Sequence, residues 1–300
     1  MACNSDSLHV STPAGPLQGS LLCPSSPAPW PAVLLISGSG PTDRNGNTVG
    51  LPGPNNSLKL LAEALAQRGI ASVRYDKRGV GGSRGALTSE AALRFDMLAD
   101  DAAQWVRQMR LDHRFSSITV AGHSEGSLLG MLATERAKAD AYISLEGPGR
   151  SAMTVLHEQL TARAPAALAQ QSDRIMAELS AGRTVDSVPP ELAALFRPSV
   201  QPYLISWFKY DPAQELAKLT VPVLIVQGTT DIQVSVQDAH TLSAAVPRAQ
   251  AVIIDGMNHV LKLVPPDMNA QMKSYSDPSL PVAPQLVDAV ATFVNGLPRR

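Results

Sequence analysis

The sequence has little cysteine and no excess of charge of either sign. Its two cysteines, Cys3 and Cys23, lie near the N-terminus outside any metal-ligand spacing, which excludes a disulfide-rich scaffold and favours free thiols over a bridge. With 25 basic and 26 acidic residues, the net charge is −1. The chain therefore lacks the basic footprint of nucleic-acid-binding proteins and of polybasic membrane patches, and no nucleic-acid partner is expected.

Long apolar runs are also absent. No segment approaches the roughly 20 consecutive apolar residues that cross a bilayer, so no membrane span is expected. The first ten residues lack the basic and apolar regions of a secretion signal, which favours a cytoplasmic location unless an upstream signal has been removed. Apolar residues still make up 44% of the 300, enough for a sizeable core in one domain.

Short β-branched apolar runs alternate with longer amphipathic segments, a pattern typical of the α/β class with a mostly parallel sheet and flanking helices. The first two strands are predicted to form an antiparallel hairpin. The predicted strands are 8–12, 16–23, 32–37, 70–75, 117–121, 141–145, 223–227 and 251–254, and the main predicted helices are 57–68, 91–111, 125–137 and 282–296.

No strand is predicted between the strands at 141–145 and 223–227. The intervening stretch is rich in alanine, leucine and glutamine with helical periodicity. Because ligands bind at strand ends in such sheets, we expect a helical cap at 150–212, inserted into a core formed by residues 1–149 and 213–300. An extra helical layer packed away from any site is the alternative.

The strongest local signal is the pentapeptide Gly122-His123-Ser124-Glu125-Gly126, between a predicted buried strand and a predicted helix. On such a sharp turn the serine hydroxyl is exposed above the sheet edge, where it can act as a nucleophile. The flanking glycines are needed because a Cβ would collide with neighbouring elements. The same string often marks a plain flexible turn, but this position favours a catalytic Ser124. His123 is expected to pack or bond locally.

A serine hydroxyl is a weak nucleophile and needs a base that a third group orients. In sheets of this kind the acid and then the histidine follow the serine along the chain. The loops after the last two predicted strands carry Asp231 and His259, so both are expected at the same sheet edge as Ser124. Asp255 is the main alternative acid, and Asp238 is expected to face solvent.

The negative oxygen of a tetrahedral intermediate needs preorganised N–H donors. One is expected to be the backbone amide of Glu125, directly after the nucleophile. The other is expected from the loop Ser37-Gly38-Ser39-Gly40, where the main chain can approach closely, and we assign it to Ser39. A simple turn is the alternative. A phosphate-binding loop is excluded because the Gly-x-x-x-x-Gly-Lys pattern is missing.

Five sequence blocks carry a resemblance to a known family. They are SGSGPTDRNGN (37–47), RYDKRGVGGS (74–83), GHSEG (122–126), QGTTDIQV (227–234) and GMNHVLK (256–262). In this order they resemble the α/β-hydrolase superfamily, most closely bacterial esterases near the serine aminopeptidase-like hydrolases. The resemblance implies an eight-stranded, mostly parallel sheet, hydrolysis of carboxylic esters through an acyl-enzyme, and no cofactor.

One departure from the family lies in the first block, where many relatives have His-Gly in place of Ser37-Gly38. Since the oxyanion donor is a backbone group, its role is expected to survive. Asp43 and Arg44 in the same block are expected to brace the loop by charge-assisted hydrogen bonds. The block 76–83 is expected to be a structural turn.

The expected function is hydrolysis of a small-molecule ester by a Ser124–His259–Asp231 triad. Thioesterase, acyltransferase or aminopeptidase activity with the same triad is the alternative. A peptidase needs a charged group for the substrate amine, and Glu146, just after a predicted strand, is the candidate. A ligand-binding receptor on a hydrolase fold is a third possibility. Multiple turnover of a substrate would distinguish an enzyme from such a receptor.

Overall fold

The computed structural model describes residues 6–298, and its strands form one eight-stranded sheet. They are β1 (Asp6–Val10), β2 (Leu17–Leu22), β3 (Trp30–Ile36), β4 (Ala71–Tyr75), β5 (Phe115–His123), β6 (Ala141–Leu145), β7 (Val223–Gly228) and β8 (Gln250–Ile254). Their order across the sheet is β1-β2-β4-β3-β5-β6-β7-β8. The β1–β2 and β2–β4 pairs are antiparallel and the remaining pairs parallel, so the predicted α/β class and opening hairpin are confirmed.

Helices cover both faces of this sheet. Within the described residues they are α1 (Ser57–Gln67), α2 (Phe95–Arg110), α3 (Glu125–Ala137), α4 (Ala152–Arg163), α5 (Ala166–Ser180), α6 (Ala193–Phe196), α7 (Gln201–Trp207), α8 (Pro212–Ala217), α9 (Val236–Ala245), α10 (Met268–Ser274) and α11 (Pro284–Asn295). Each predicted strand lies within two residues of its observed bounds. The helix predicted at 91–111 begins later, because Leu93 and Arg94 are extended and a short 3-10 turn precedes them.

The central strands are apolar along their whole length because both of their faces are covered. Successive side chains of a strand point to opposite faces. In β3, Leu34 and Ile36 join a core shared with α2, α3 and α9, whereas Val33 and Leu35 join a core shared with α1 and α11. The molecule is therefore a three-layer stack with the sheet in the middle.

Helices α4–α8 lie between β6 and β7, in the stretch where the sequence predicts no strand. Aromatic residues of α7 and of the segment directly after it pack against the beginning of α2. The Phe95 ring stacks on the Trp207 ring, with 5.6 Å between the ring centroids. Its centroid lies 6.0 Å from that of Tyr203 and 5.7 Å from that of Tyr210. The Phe95 amide donates a hydrogen bond of 2.7 Å to the Ser206 hydroxyl. These contacts attach α7 firmly to the core.

Cys23 follows β2 directly and is disulfide-bonded, so the expected free thiol is wrong for this residue. Its side chain is buried at the end of the strand. Cys3 lies outside the described residues. None of the helices found within residues 6–298 has the length and apolar character needed to cross a bilayer.

The turn from β5 into α3 leaves no space for side chains at its two glycines. A Cβ at Gly122 would lie 2.0 Å from the Gly126 carbonyl oxygen. A Cβ at Gly126 would lie 2.5 Å from the Ile36 carbonyl oxygen at the end of β3. In both cases the obstacle is backbone, which cannot move aside as a side chain can. The close packing of β3, β5 and α3 therefore requires glycine at these positions.

Replacing Gly122 by alanine is expected to lower the free energy of unfolding by about 3 kcal/mol or more, because the new methyl group overlaps backbone atoms. Urea unfolding followed by circular dichroism measures this change. Gly85→Ala is the matched control, since a Cβ there has no neighbour within 4 Å. An unfolding midpoint of Gly122→Ala equal to that of the wild type would contradict the tight turn.

Candidate active site

Ser124 occupies the single residue between β5 and α3, in a conformation that non-glycine residues rarely adopt. Its φ is 55° and its ψ is −124°. The strained backbone is held on both sides: the Ser124 amide donates to the Leu145 carbonyl at 3.0 Å, and its carbonyl accepts from the Ser127 amide at 2.9 Å. The neighbouring strand and the first turn of α3 thus fix the position of this serine above the sheet edge.

A buried acid and a histidine meet on the loops after β7 and β8. The Nδ1 atom of His259 donates to Oδ2 of Asp231 at 2.7 Å, which leaves Nε2 as the acceptor. The second oxygen of Asp231 accepts from the amides of Gln233 at 2.6 Å and Val234 at 3.0 Å. Burial opposes ionisation of Asp231, but the His259 charge and these hydrogen bonds outweigh it and lower its pKa. Asp231 is therefore the ionised partner of the ring.

Ser124 and His259 line one cavity of about 80 Å³, together with Ser39. Within the described part of the chain, no hydrogen bond joins the Ser124 hydroxyl to the His259 ring. Catalytic hydrogen bonds are often long without substrate and tighten when substrate binds. The structure thus brings the predicted serine and histidine into one cavity and joins the histidine to the predicted acid.

The Gly/Ser-rich loop after β3 packs directly against the elbow, which is the sharp turn at residues 122–126 that joins β5 to α3. A Cβ at Gly38 would lie 3.2 Å from the Ser124 Cβ and 3.3 Å from Nδ1 of His123. Across residues 6–298, the amides of Ser39 and Glu125 donate no hydrogen bond to the chain. Both predicted oxyanion donors are therefore available, and both residues line a cavity with Ser124.

The same loop is braced by the charged residues that the sequence indicates. Arg44 forms an ion pair with Asp76 at 2.7 Å, and its amide donates to the same carboxylate at 2.8 Å. The Asp43 carboxylate accepts from the amides of Asn45 at 2.8 Å and Asn47 at 3.0 Å. The bracing roles predicted for Asp43 and Arg44 are confirmed, and Asp76 lies in the predicted structural turn.

A second cavity, of about 100 Å³, lies between Ser124 and the inserted helices. The ring of Trp207 both stacks on Phe95 and lines this cavity. The first inserted helix, α4, contributes the largest share of the wall. Its lining residues are Ala152, Val155, Leu156 and Gln159.

Comparisons with known proteins agree with this architecture. The family described as serine aminopeptidase, S33, matches residues 55–189, which include Ser124 but neither Asp231 nor His259. Esterase EstD of Thermotoga maritima is 29% identical over 248 residues, 82% of this chain. The chain spans only 58% of the length of that relative.

Solved structures share the whole fold at low sequence identity. Est1E from Butyrivibrio proteoclasticus superposes with a TM-score of 0.61 at 18% identity, covering 96% of this chain and 97% of that one. Proline iminopeptidase of Mycobacterium smegmatis superposes with a TM-score of 0.59 at 16% identity, covering 97% and 98%. The chain therefore has the α/β-hydrolase fold.

A second buried carboxyl group lies behind Asp231. Glu146 directly follows β6 and is 0% exposed. One of its oxygens accepts from the Gly228 amide at 2.9 Å, the other from the Gln227 side-chain amide. Burial and the nearby charge of Asp231 raise the pKa of Glu146 well above its usual range, and its protonated form donates to Asp231. Glu146 therefore faces Asp231 rather than a substrate amine.

His123 links the turn at residues 122–126 to the loop that carries His259. Its Nε2 atom donates to the His259 carbonyl oxygen at 2.6 Å, and the two rings lie 4.8 Å apart. Burial and the charge of His259 lower the pKa of His123 to about 3, so its ring stays neutral. The expected packing of His123 is confirmed by its contact with the His259 ring, but its hydrogen-bond partner lies 136 residues away along the chain and no sequence signal marks it.

The two rival acids lie elsewhere. Asp255 accepts a hydrogen bond of 2.9 Å from the Thr229 hydroxyl and none from the His259 ring. The expectation that Asp238 faces solvent is wrong, because its side chain is 0% exposed. It accepts from the Arg150 guanidinium at 2.9 Å and caps α9, so it ties that helix to the start of the inserted segment.

Glu146→Gln tests the protonation of the second carboxyl group through stability. In the wild type, a folded-state pKa above the unfolded one makes stability fall as pH rises from the unfolded pKa toward the folded one. Glutamine does not titrate. The wild type should therefore lose stability relative to the variant as the pH rises from 5 to 8. The difference in unfolding free energy, variant minus wild type, should increase by up to about 1.4 kcal/mol per pH unit.

Urea unfolding at both pH values measures this difference. A steric effect of the amide would shift both values equally, so the slope with pH isolates the ionisation. A difference that stays constant between pH 5 and pH 8 would show that the Glu146 carboxyl is not held protonated.

Proposed function

We propose that this protein is an α/β-hydrolase that cleaves small-molecule carboxylic esters with Ser124 as nucleophile. The observation that carries the proposal is the buried hydrogen bond of 2.7 Å between Asp231 and His259, at the sheet edge where His259 and Ser124 line one cavity. An imidazole backed by an ionised carboxylate can accept a proton and bear the positive charge that follows. The name of the esterase from Thermotoga maritima supports an ester as substrate.

In the proposed mechanism, Nε2 of His259 takes the proton of the Ser124 hydroxyl as its oxygen attacks the ester carbonyl. Asp231 stabilises the imidazolium. The amides of Ser39 and Glu125 bind the negative oxygen of the tetrahedral intermediate. The imidazolium then protonates the leaving alcohol, and water hydrolyses the acyl-enzyme by the same steps. This chemistry needs no cofactor.

We also propose that residues 150–212 act as a cap that shapes the substrate site, within a core of residues 1–149 and 213–300. The lining of the second cavity supports it, since α4 and Trp207 contribute to the wall beside Ser124. Their side chains are mostly apolar, which suits an acyl chain or an alcohol group.

Ser124→Ala is expected to lower kcat for a short-chain p-nitrophenyl ester such as the butyrate by about 10⁶, because no other group can form the acyl-enzyme. Release of p-nitrophenol measures the rate, and an unchanged circular dichroism spectrum shows that the variant is folded. Wild-type turnover in this variant would end the proposal. If a fluorophosphonate probe labels the wild type covalently but the wild type shows no multiple turnover of the ester, the protein would be a ligand-binding receptor instead.

The acid is tested by a matched pair of substitutions. Asp231→Asn is expected to lower kcat by about 10⁴, because the amide favours the wrong tautomer of His259. Asp255→Asn should leave kcat unchanged, since Asp255 bonds Thr229 instead. The opposite ranking of the two variants would assign the role to Asp255.

The same assay distinguishes the type of bond that is cleaved. The wild type is expected to hydrolyse p-nitrophenyl butyrate with a higher kcat/KM than an amino-acid p-nitroanilide, because Glu146 is turned away from the cavity and cannot hold a substrate amine. A higher kcat/KM for the anilide would favour an aminopeptidase with the same triad.

A further inference from the structure

We propose that the buried Lys77 is a positioning residue for the oxyanion hole: by binding the Gly38 carbonyl, it keeps the Ser39 amide directed toward Ser124. The inference rests on the proposed function, and it assigns a role to a charged residue that takes no part in the acyl transfer itself. Its support comes from three features: the contacts of the ammonium group, the geometry of the peptide unit that it holds, and the carboxylate beside it.

Lys77 lies two residues after β4 and is 3% exposed. Its ammonium group donates a hydrogen bond to the Gly38 carbonyl oxygen and lies 3.8 Å from Oε2 of Glu125. Burial lowers the pKa of Lys77, while the Glu125 charge supports the protonated form. Since an unpaired buried charge is strongly unfavourable, these two contacts hold the ammonium in place.

The bond to Gly38 determines the direction of the next amide. The peptide between Gly38 and Ser39 is trans, and in a trans unit the carbonyl oxygen and the following N–H point in opposite directions. With the carbonyl held by Lys77, the Ser39 N–H points away from the lysine. Ser39 lines both cavities that Ser124 lines. Rotating this peptide would break the bond and leave the ammonium with the Glu125 charge alone.

Glu125 extends the same cluster to the second donor. Its carboxylate accepts a hydrogen bond from the Tyr203 hydroxyl on α7, and its backbone amide is the other proposed oxyanion donor. The oxygen nearest Lys77 accepts no hydrogen bond within residues 6–298, so the ion pair is its compensating interaction. The buried series Tyr203–Glu125–Lys77–Gly38 thus connects the inserted helices to both donors.

Lys77→Met tests this role, because it keeps the length of the side chain and removes the ammonium. The kcat for p-nitrophenyl butyrate is expected to fall about 10²–10³-fold, the usual effect of losing one oxyanion donor, with little change in KM. A trifluoromethyl ketone, which forms an anionic adduct with a catalytic serine, should lose affinity by a similar factor. The matching methyl ketone, which binds largely without forming that adduct, should not.

Arg78→Met is the matched control for losing a buried cation. The Arg78 guanidinium binds the Asp101 carboxylate at 2.5 and 2.7 Å and the Ala86 carbonyl at 3.1 Å. None of its hydrogen bonds within the described residues reaches the loop 37–40, which carries the Ser39 amide. This variant should be less stable to urea, yet its affinity ratio for the two ketones should match that of the wild type.

A second Lys77 variant tests whether the loss of activity arises only because Glu125 is left as an unpaired buried charge that disturbs folding. Lys77→Met combined with Glu125→Gln removes both buried charges, and it should show the same loss of kcat and of trifluoromethyl ketone affinity. Wild-type ketone discrimination in both Lys77 variants would overturn the inference, even if their stability is lower. Retained hydrolysis by Ser124→Ala would overturn the proposed function and this inference together, so the two failures are distinguishable.

Discussion

The structure depends on one steric constraint, the close approach of three backbone segments at the elbow. Gly122 and Gly126 leave no space for a Cβ, so the ends of β3 and β5 and the first turn of α3 come into contact. That contact keeps Ser124 in its strained conformation and brings Gly38 against it. Strain of this kind persists only where the surroundings over-determine it. Here the packing of the sheet supplies that determination.

Around the elbow, buried charges are paired so that each group has one favoured protonation state. Asp231 is kept ionised by His259 and two backbone amides, whereas Glu146 behind it is kept protonated. On the opposite side, the ammonium of Lys77 compensates the carboxylate of Glu125. Two adjacent acids in a dry environment cannot both be charged. The order of their pKa values therefore decides which carboxylate is the ionised partner of His259.

The sequence predicted local features well and long-range contacts only where a strand end implied them. Strand ends share one edge in a parallel sheet, which is why Asp231 and His259 could be placed near each other. The bond from His123 to the His259 carbonyl was not predicted and the exposure of Asp238 was predicted wrongly, because each depends on a partner from a distant element. Glu146 was noticed at a strand end, but its direction toward Asp231 was not predictable from spacing.

By itself the sequence determined the α/β class, the order of the strands along the chain and the position of the elbow. These follow from hydrophobic periodicity and from glycines at a turn, both of which are local properties. Only the tertiary structure decided which charges meet: Glu146 with Asp231, Lys77 with Gly38 and Glu125, and Tyr203 with Glu125. Such pairs depend on side-chain direction and burial, which arise when the sheet, helices and inserted segment pack together.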